Sequence, residues 1–372
     1  MILTDRAGIN IEYSEDGGFP RFVNSVAGKR IELLYDINTE PYAARMYEML
    51  IAADCDVVEV EFPDEELLPT EDKCDFAGWA AKGCDYVLAV GSGTLNDMAK
   101  YIAFCEGVPS GVMATAASMD GYCSSGAALM RGGFKVTDSV RAPRDILIDP
   151  EIIRCAPREL TAAGFGDIIG KYTCLADWKL SNLINGEPIH TEAYSLMERA
   201  LGACIEAYGG LTEYRADAIA ELMDALITAG ISMAMCGNSR PASGSEHHQS
   251  HFLEMDFARR GEPIPPHGIK VGIGTLVSLS IYKYIADHRV PCKNAEQVYA
   301  LARSLPDEET VRDMLVGMGA PVRFSEIGVR EETMRRMLFE AHTVRDRYTV
   351  LTLAAELGIM DDMIADIMEK YF

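Results

Sequence analysis

Apolar and polar positions follow two regimes along the chain. Residues 31–36 (IELLYD) form a short apolar run ending in polar residues, and residues 41–53 carry apolar positions at helical spacing. Residues 56–62 (DVVEVEF) alternate as a strand does. A helical segment around residues 76–81 leads to residues 85–90 (DYVLAV), which run directly into Gly91-Ser92-Gly93. Leu95, Met98, Ala99 and Ile102 mark one face of a following helix, and residues 111–115 return as a strand. Alternating strands and helices, with strands apolar on both sides, predict a parallel sheet covered on both faces. Residues 118–137 (SMDGYCSSGAALMRGGFKVT) read as loop and hairpin turning at Gly132-Gly133, and residues 145–149 (DILID) give one more strand.

From Pro157 onward the pattern is almost entirely helical, opening with Pro157-Arg158-Glu159 in a first helical turn, where Pro and Glu are favoured. The fold class expected is therefore an α/β domain with a Rossmann-like parallel sheet, residues 1–157, followed by an all-α helical-bundle domain, residues 158–372. Periodicity and Gly/Pro breaks predict roughly eight to ten helices in the second domain. No apolar run reaches the roughly 18 residues needed to cross a bilayer. The longest candidate, residues 222–236, is interrupted by Asp224 and reads as a buried helix. The start, MILTDRAGINIEY, lacks the basic and apolar regions of a signal peptide, so a cytoplasmic protein is expected.

Composition narrows the picture. A 48% hydrophobic content over 372 residues indicates a globular protein of two domains. A net charge of −23 argues against a nucleic-acid partner, which needs a basic face, and obliges any anionic substrate to find a local positive site. Among ten cysteines there is no C-x-x-C pair, so neither a zinc knuckle nor a dithiol redox pair is present. Cys84, Cys105, Cys174 and Cys204 sit among apolar neighbours and read as small buried hydrophobes in a reducing compartment.

Two loops are candidate nucleotide contacts. GSGTLND, residues 91–97, joins a strand to a helix, where glycines admit a phosphate and helix N-terminal amides attract it. It departs from G-x-G-x-x-G because Asn96 replaces the third glycine, and a tight turn without ligand is the alternative. The second loop, Thr115, Ala116, Ala117 and Ser118, follows the next strand, and two such loops at strand carboxyl ends favour a nucleotide. Asp36 ends an earlier strand. It suits either the adenosine ribose hydroxyls or a helix N-cap or turn residue in DINTEP.

Residues 240–274 (RPASGSEHHQSHFLEMDFARRGEPIPPHGIKVGIG) hold four of the seven histidines. His247 and His251 lie four apart on one helix face, whereas His248 points about 100° away. Pro263, Pro265 and Pro266 end that helix and deliver His267 at the start of another, next to Gly268, which permits close approach of ligand or backbone. Asp167 is a lone carboxylate in the apolar segment AAGFGDIIG. Either it pairs with Lys171 or, with His247 and His267, it completes a three-ligand site with open positions. His251 is a ligand or a substrate contact. Arg240 and Lys270 are candidates for a substrate phosphate or for exposed salt bridges. His190, His288 and His342 read as ordinary surface or core residues.

GSGTLNDMAKY, TAASMDGYCSSGAAL, AAGFGDIIGKYTCLADWKL, RPASGSEHHQSH and HGIKVGIGTL occur in the order and spacing of the sn-glycerol-1-phosphate dehydrogenases. The chain thus resembles that family, part of the superfamily of iron-containing alcohol dehydrogenases, glycerol dehydrogenases and dehydroquinate synthases. The resemblance runs over most of the chain. It implies reduction of dihydroxyacetone phosphate to sn-glycerol 1-phosphate with a nicotinamide cofactor and one divalent metal ion, in a cleft between the two domains. By motif position it implies cofactor contacts at Gly93, Thr94, Leu95, Asn96, Asp97, Thr115, Ala116, Ala117, Ser118 and Ser124. It implies metal ligands Asp167, His247 and His267, and substrate contacts Asp120, Asp167 and His251. His251, with an ordinary pKa suited to the task, is one candidate proton carrier to the product alkoxide, and water at the metal is the other.

Two departures bear on the cofactor. Archaeal members carry T-G-P-N-T where this chain reads Tyr35-Asp36-Ile37-Asn38-Thr39. An acidic residue there accompanies NAD rather than NADP in related alcohol dehydrogenases, so the chain resembles the bacterial, NAD-using branch. The T-A-P-S loop reads Thr115-Ala116-Ala117-Ser118, without the proline. The metal is zinc, nickel or iron by resemblance, the partners are small molecules with neither nucleic acid nor membrane, and a homodimer or larger homo-oligomer is expected. A glycerol or polyol dehydrogenase, a dehydroquinate-synthase-like cyclase using NAD transiently, and a non-enzymatic nucleotide or metal sensor are the competing readings.

Overall fold

The computed structural model describes residues 8–132 and 134–372. The first seven residues of the N-terminal stretch and Gly133 of the expected hairpin turn lie outside the described residues. The chain divides into two compact units: one runs to Ala117 and resumes over Gly121–Ala156, the other comprises Ser118–Asp120 and Pro157–Phe372.

The first unit is built on a six-stranded parallel sheet in the order β1-β8-β5-β4-β2-β3: β1 (Asn10–Tyr13), β2 (Arg30–Asp36), β3 (Asp56–Phe62), β4 (Tyr86–Gly91), β5 (Ser110–Ala114) and β8 (Asp145–Ile148). β4, β5 and β8 are buried along their whole length, as continuous apolar strands between covering layers must be. Ile31, Leu33 and Tyr35 of β2 and Tyr86, Leu88 and Val90 of β4 share one face with helices α1 (Gly18–Ser25) and α2 (Glu40–Ala52). The opposite face receives Leu95, Met98, Ala99 and Ile102 from α4 (Gly93–Glu106), which follows α3 (Glu71–Ala80). β6 (Gly126–Arg131) and β7 (Phe134–Ser139) pair as the expected hairpin, and α5 (Pro150–Ile153) ends the unit.

Because β3 and β4 flank β2 on opposite sides, the sheet reverses direction between β2 and β4. Leu34 pairs with Ala89 and Gly91 with Ala114, so Asp36, Gly91 and the start of the Thr115 loop stand level at one end of the sheet. That is the topological switch point, where open α/β sheets bind ligands.

The second unit contains twelve α-helices among the described residues, two more than the upper expectation: α6 (Arg158–Ile169), α7 (Lys171–Asn185), α8 (Thr191–Glu206), α9 (Tyr208–Thr212), α10 (Ala216–Cys236), α11 (Ser245–Arg260), α12 (His267–Asp287), α13 (Ala295–Arg303), α14 (Glu308–Gly317), α15 (Glu331–Glu340), α16 (Val350–Leu357) and α17 (Met360–Tyr371). The undercount arises where helices abut. Only Gly170 separates α6 from α7 and only Ala207 separates α8 from α9, so apolar periodicity runs through both breaks.

Three further expectations are corrected. α10 and α12, at 21 residues each, are long and apolar enough to cross a bilayer by length and composition, because each helix continues past the charges that interrupt its apolar run. In α12 the most apolar window is 89% buried within the protein, as befits a helix apolar all round. α11 ends on Gly261 in the left-handed conformation, φ 66°, before the prolines are reached. All ten cysteines are free thiols, but Cys105, in the last turn of α4, is exposed rather than buried.

Contact between α6 and α12 is backbone against backbone. A Cβ on Gly268 would stand 1.7 Å from the Ala163 carbonyl oxygen, and one on Gly166 would stand 2.3 Å from that of Gly268. Gly166→Ala is therefore expected to lower unfolding stability by about 3 kcal/mol or more, overpacking a contact that has no side chain to give way. Gly202→Ala, on α8 with nothing within 4 Å, should instead be neutral or stabilise by up to about 1 kcal/mol. Urea denaturation of the two variants checks the contrast.

Glu32 of β2 is fully buried and neither carboxylate oxygen has a hydrogen-bond partner. Burial, with Glu106 nearby, raises its pKa from 4.5 to about 8. The folded protein then retains a proton that the unfolded chain releases, so its stability contribution is present below pH 4.5 and is lost as pH rises towards 8. Glu32→Gln should remove a stability loss on the order of 3 kcal/mol across that window, read from denaturation midpoints at about pH 5 and pH 8.

Candidate metal centre and cofactor loops

Asp167 in α6, His247 in α11 and His267 at the start of α12 offer ligand atoms within 4.8 Å of one another. His247 Nε2 lies 3.6 Å from Asp167 Oδ1, and the His247 and His267 rings are 5.0 Å apart. Each ring is turned by a glutamate: His247 Nδ1–H donates to Glu246 Oε1 at 2.8 Å, and His267 Nδ1–H to Glu254 Oε1 at 3.0 Å. That leaves Nε2 of both rings open to a cation, as in a carboxylate–histidine–metal arrangement. Burial, reinforced by the Lys171 charge, keeps His247 well below its ordinary 6.5, so its lone pair is available at neutral pH.

Asp167 pairs with Lys171 and also stands within reach of His247 and His267. Lys171 Nζ donates to Asp167 Oδ1 at 2.9 Å, to Asp120 Oδ2 at 2.7 Å and to the Ala242 carbonyl at 2.9 Å. Asp167 Oδ2 accepts the Asp120 backbone N–H at 3.0 Å. Burial works against the Lys171 charge, but Asp120 and Asp167 outweigh it and hold its pKa above the ordinary 10.5. Burial and Asp167 raise the Asp120 carboxyl, and Lys171 opposes them.

The chemistry of this donor set fits a divalent cation. Four buried carboxylates, Asp120, Asp167, Glu246 and Glu254, face only two buried ammonium groups, Lys171 and Lys270. Burying anions without compensation is costly, and part of the cost appears as protonation: burial and Asp177 push Glu246 up to about 7.

His251 lies one ring away, 5.7 Å from His267 between centroids. Its Nδ1–H donates to Glu254 Oε2 at 3.3 Å, and its Nε2 accepts from Arg345 Nη2 at 2.9 Å. The expected ordinary pKa is corrected: burial lowers it to about 4, against the pull of Glu254. His248 faces elsewhere, buried, with neither ring nitrogen hydrogen-bonded. Neither Arg240 nor Lys270 forms the exposed salt bridge allowed for it. Lys270 is fully buried, donating to the Pro265 carbonyl 3.5 Å from Glu254, and Arg240 is 3% exposed.

In the first unit, Gly93 opens α4 and the Ser92 side chain does not cap it, so the first N–H groups of the helix have no partner within it. Thr94 is half-buried, while Leu95 and Asn96 point into the core. Asp97 accepts the Ala128 N–H at 3.0 Å and pairs with Lys100 at 2.7 Å. Thr115, Ala116 and Ala117 are buried, Thr115 N–H bonding the Gly91 carbonyl at 3.1 Å. Ser118 belongs to the second unit with Asp120. Ser124 donates to the Gly121 carbonyl at 2.9 Å and accepts from Lys100. Asp36 makes the turn foreseen as its alternative role, Oδ1 accepting from Asn38 N–H, Thr39 N–H and Thr39 Oγ1–H, each at 3.0 Å. These side chains mostly fix their own loops.

Sequence reasoning missed Glu246, Glu254, Arg345 and Arg347. Glu254 was within reach, standing seven residues after His247 and three after His251 on the same helical face. Glu254→Gln keeps one carbonyl acceptor, enough for His267 or for His251 but not for both, and removes the charge. It should weaken divalent-metal binding about 10- to 100-fold in chelator competition, while unchanged affinity would contradict the orienting role of Glu254.

A model of the iron-containing alcohol dehydrogenase family matches residues 11–157. A glycerol-1-phosphate dehydrogenase (NAD(P)+) of Bacillus velezensis is 39% identical over 280 residues, 74% of this chain and 71% of that protein. The enzyme of the same name from Bacillus licheniformis is 34% identical over 351 residues, 93% of this chain and 87% of its own. The fold is that of an iron-containing alcohol dehydrogenase from Thermococcus thioreducens, with TM-score 0.73 at 17% identity, covering 97% of this chain and 98% of that one. The chain belongs to the glycerol-1-phosphate dehydrogenase family of iron-containing alcohol dehydrogenase-type enzymes.

Proposed function

We propose that this chain is a metal-dependent oxidoreductase that reduces dihydroxyacetone phosphate to sn-glycerol 1-phosphate, with NADH as the preferred cofactor. The observation that carries this reading is the grouping of buried Asp167 and His247 with half-buried His267 in a member of this family. Asp167 and the Nε2 atoms of the two imidazoles would hold one zinc, nickel or iron ion. When bound, the nicotinamide supplies the hydride and the metal the Lewis acidity that polarises the ketone.

The remaining tasks fall to the chain. Lys171 fixes the carboxylates of Asp120 and Asp167 beside each other, and Asp120 contacts the substrate hydroxyl. His251 holds its proton on Nδ1 against Glu254 and stays neutral, so it serves as a positioned hydrogen-bonding group rather than as an imidazolium acid. The amides at the start of α4 and the Thr115–Ser118 loop receive the cofactor phosphates. Asp36, at the switch point, takes the adenosine ribose and repels a 2′-phosphate.

NADH oxidation should proceed with dihydroxyacetone phosphate at a kcat/KM about 100-fold or more above that with dihydroxyacetone. Chiral analysis should show the sn-1 product. Equal use of the unphosphorylated ketone would identify a polyol dehydrogenase instead, and equal efficiency with NADPH would remove the role given to Asp36.

A further inference from the structure

The second unit contains a cavity of about 590 Å³ whose lining includes Arg240, Arg345 and Arg347. Among the described residues no carboxylate lies within ion-pair distance of Arg345 or Arg347. Their recorded partners are neutral: Arg345 donates to Ser239 Oγ at 3.3 Å and to His251 Nε2, and Arg347 to Ser239 Oγ at 3.1 Å and to the Ser243 carbonyl. Arg240 has one carboxylate, Glu187 at 2.9 Å, reached through Nη2, which also donates to the carbonyls of Asp177 and Tyr348. Its Nε and Nη1 are buried without partners.

Three guanidinium groups thus line the cavity against two carboxylates, Glu187 and Asp346, in a chain of net charge −23. Arg240 is buried, Arg347 half-buried and Arg345 exposed. Burial, with Arg240 and Arg345 adding repulsion, pulls Arg347 down to about 10. The excess positive charge of this lining, open to solvent at Arg345, suits an anion. Guanidinium groups suit a phosphate dianion, since their planar N–H pairs match its oxygens. The cluster also adjoins the metal ligands, because Arg345 touches His251, and the His251 ring is 5.7 Å from His267. Lys270 cannot share this task, being enclosed against Pro265 and Glu254.

We infer that Arg345 and Arg347, backed by Arg240, form the subsite that receives the phosphate of the three-carbon phosphoketone, an assignment that rests on the reductase reading above. Arg345 thereby joins the phosphate to the His251 side of the substrate, and Arg347 supplies the second guanidinium.

The test compares the metal-loaded enzyme with its Arg345→Met, Arg347→Met and Arg347→Lys variants. Expected is a fall in kcat/KM for dihydroxyacetone phosphate of about 10- to 100-fold in each Met variant, with partial recovery in Arg347→Lys, and in Arg347→Met a fall on dihydroxyacetone at least about tenfold smaller than that on the phosphorylated ketone. Equal falls on both ketones, or no fall on the phosphorylated one, would overturn the assignment. Calorimetric titration with inorganic phosphate reads the site without turnover. Saturable binding weakened at least about tenfold in the Met variants supports the subsite even where the parent fails to reduce the phosphoketone, a result that would sink only the reductase reading. Absence of saturable phosphate binding to the parent enzyme overturns the subsite.

Discussion

Much of the second unit depends on two helices meeting without side chains between them. α6 and α12 touch through Gly166 and Gly268, and any Cβ there would collide with the opposing backbone. Asp167 follows one of these glycines and His267 precedes the other. The contact that packs the helices therefore also sets a carboxylate beside an imidazole. Gly170 and Gly274 continue the same logic: a Cβ on either would come within about 3.2 Å of Glu246, the residue that turns His247.

Around that contact the protein buries an uncommon amount of charge. Asp177 shows how it is tolerated: one oxygen accepts Ser245 N–H, the other Tyr282 O–H and Val350 N–H, each at 2.7 Å. α7, α11, α12 and α16 are thereby tied to a single carboxylate, and the start of α11, which carries His247, is fixed. Networks satisfied to this degree hold a site rigid, whereas clusters with excess charge, such as the carboxylates around His247 and His267 or the arginines beside His251, are where the proposed cation and phosphate would bind. Stability and binding would be opposed there, an electrostatic cost of the free protein becoming affinity for the ligand.

Much of this was legible in the sequence, for identifiable reasons. β2, β3 and β4 announce themselves because their apolar residues have strand length and period, and α4 because its buried face recurs at helical spacing. β1 did not, since NIEY is short and half-buried at a sheet edge, where neither face gives a pattern. Asp167, His247 and His267 stood out as a costly acid in an apolar helix and as imidazoles placed by a helix start and a proline break. The state of His251 was not legible, because its lowered pKa comes from burial that only tertiary packing creates. Nor were Arg345 and Arg347, which sit on an irregular segment between elements, where no periodicity tells which way a side chain points. Asp36 and Asp167 each had two readings at the sequence level; packing pairs Asp167 with Lys171 while leaving it within reach of His247 and His267, and Asp36 makes the turn.

Asp167, His247 and His267 are proposed to hold a single metal ion. X-ray absorption spectroscopy at the edge of the metal found by elemental analysis tests it most directly, comparing the parent with His267→Ala. Expected is about one divalent ion per chain, bound by two imidazole nitrogens together with oxygen donors and no sulfur, and loss of that ion or of one imidazole in the variant. A sulfur-ligated ion, or a coordination sphere unchanged in His267→Ala, would contradict it.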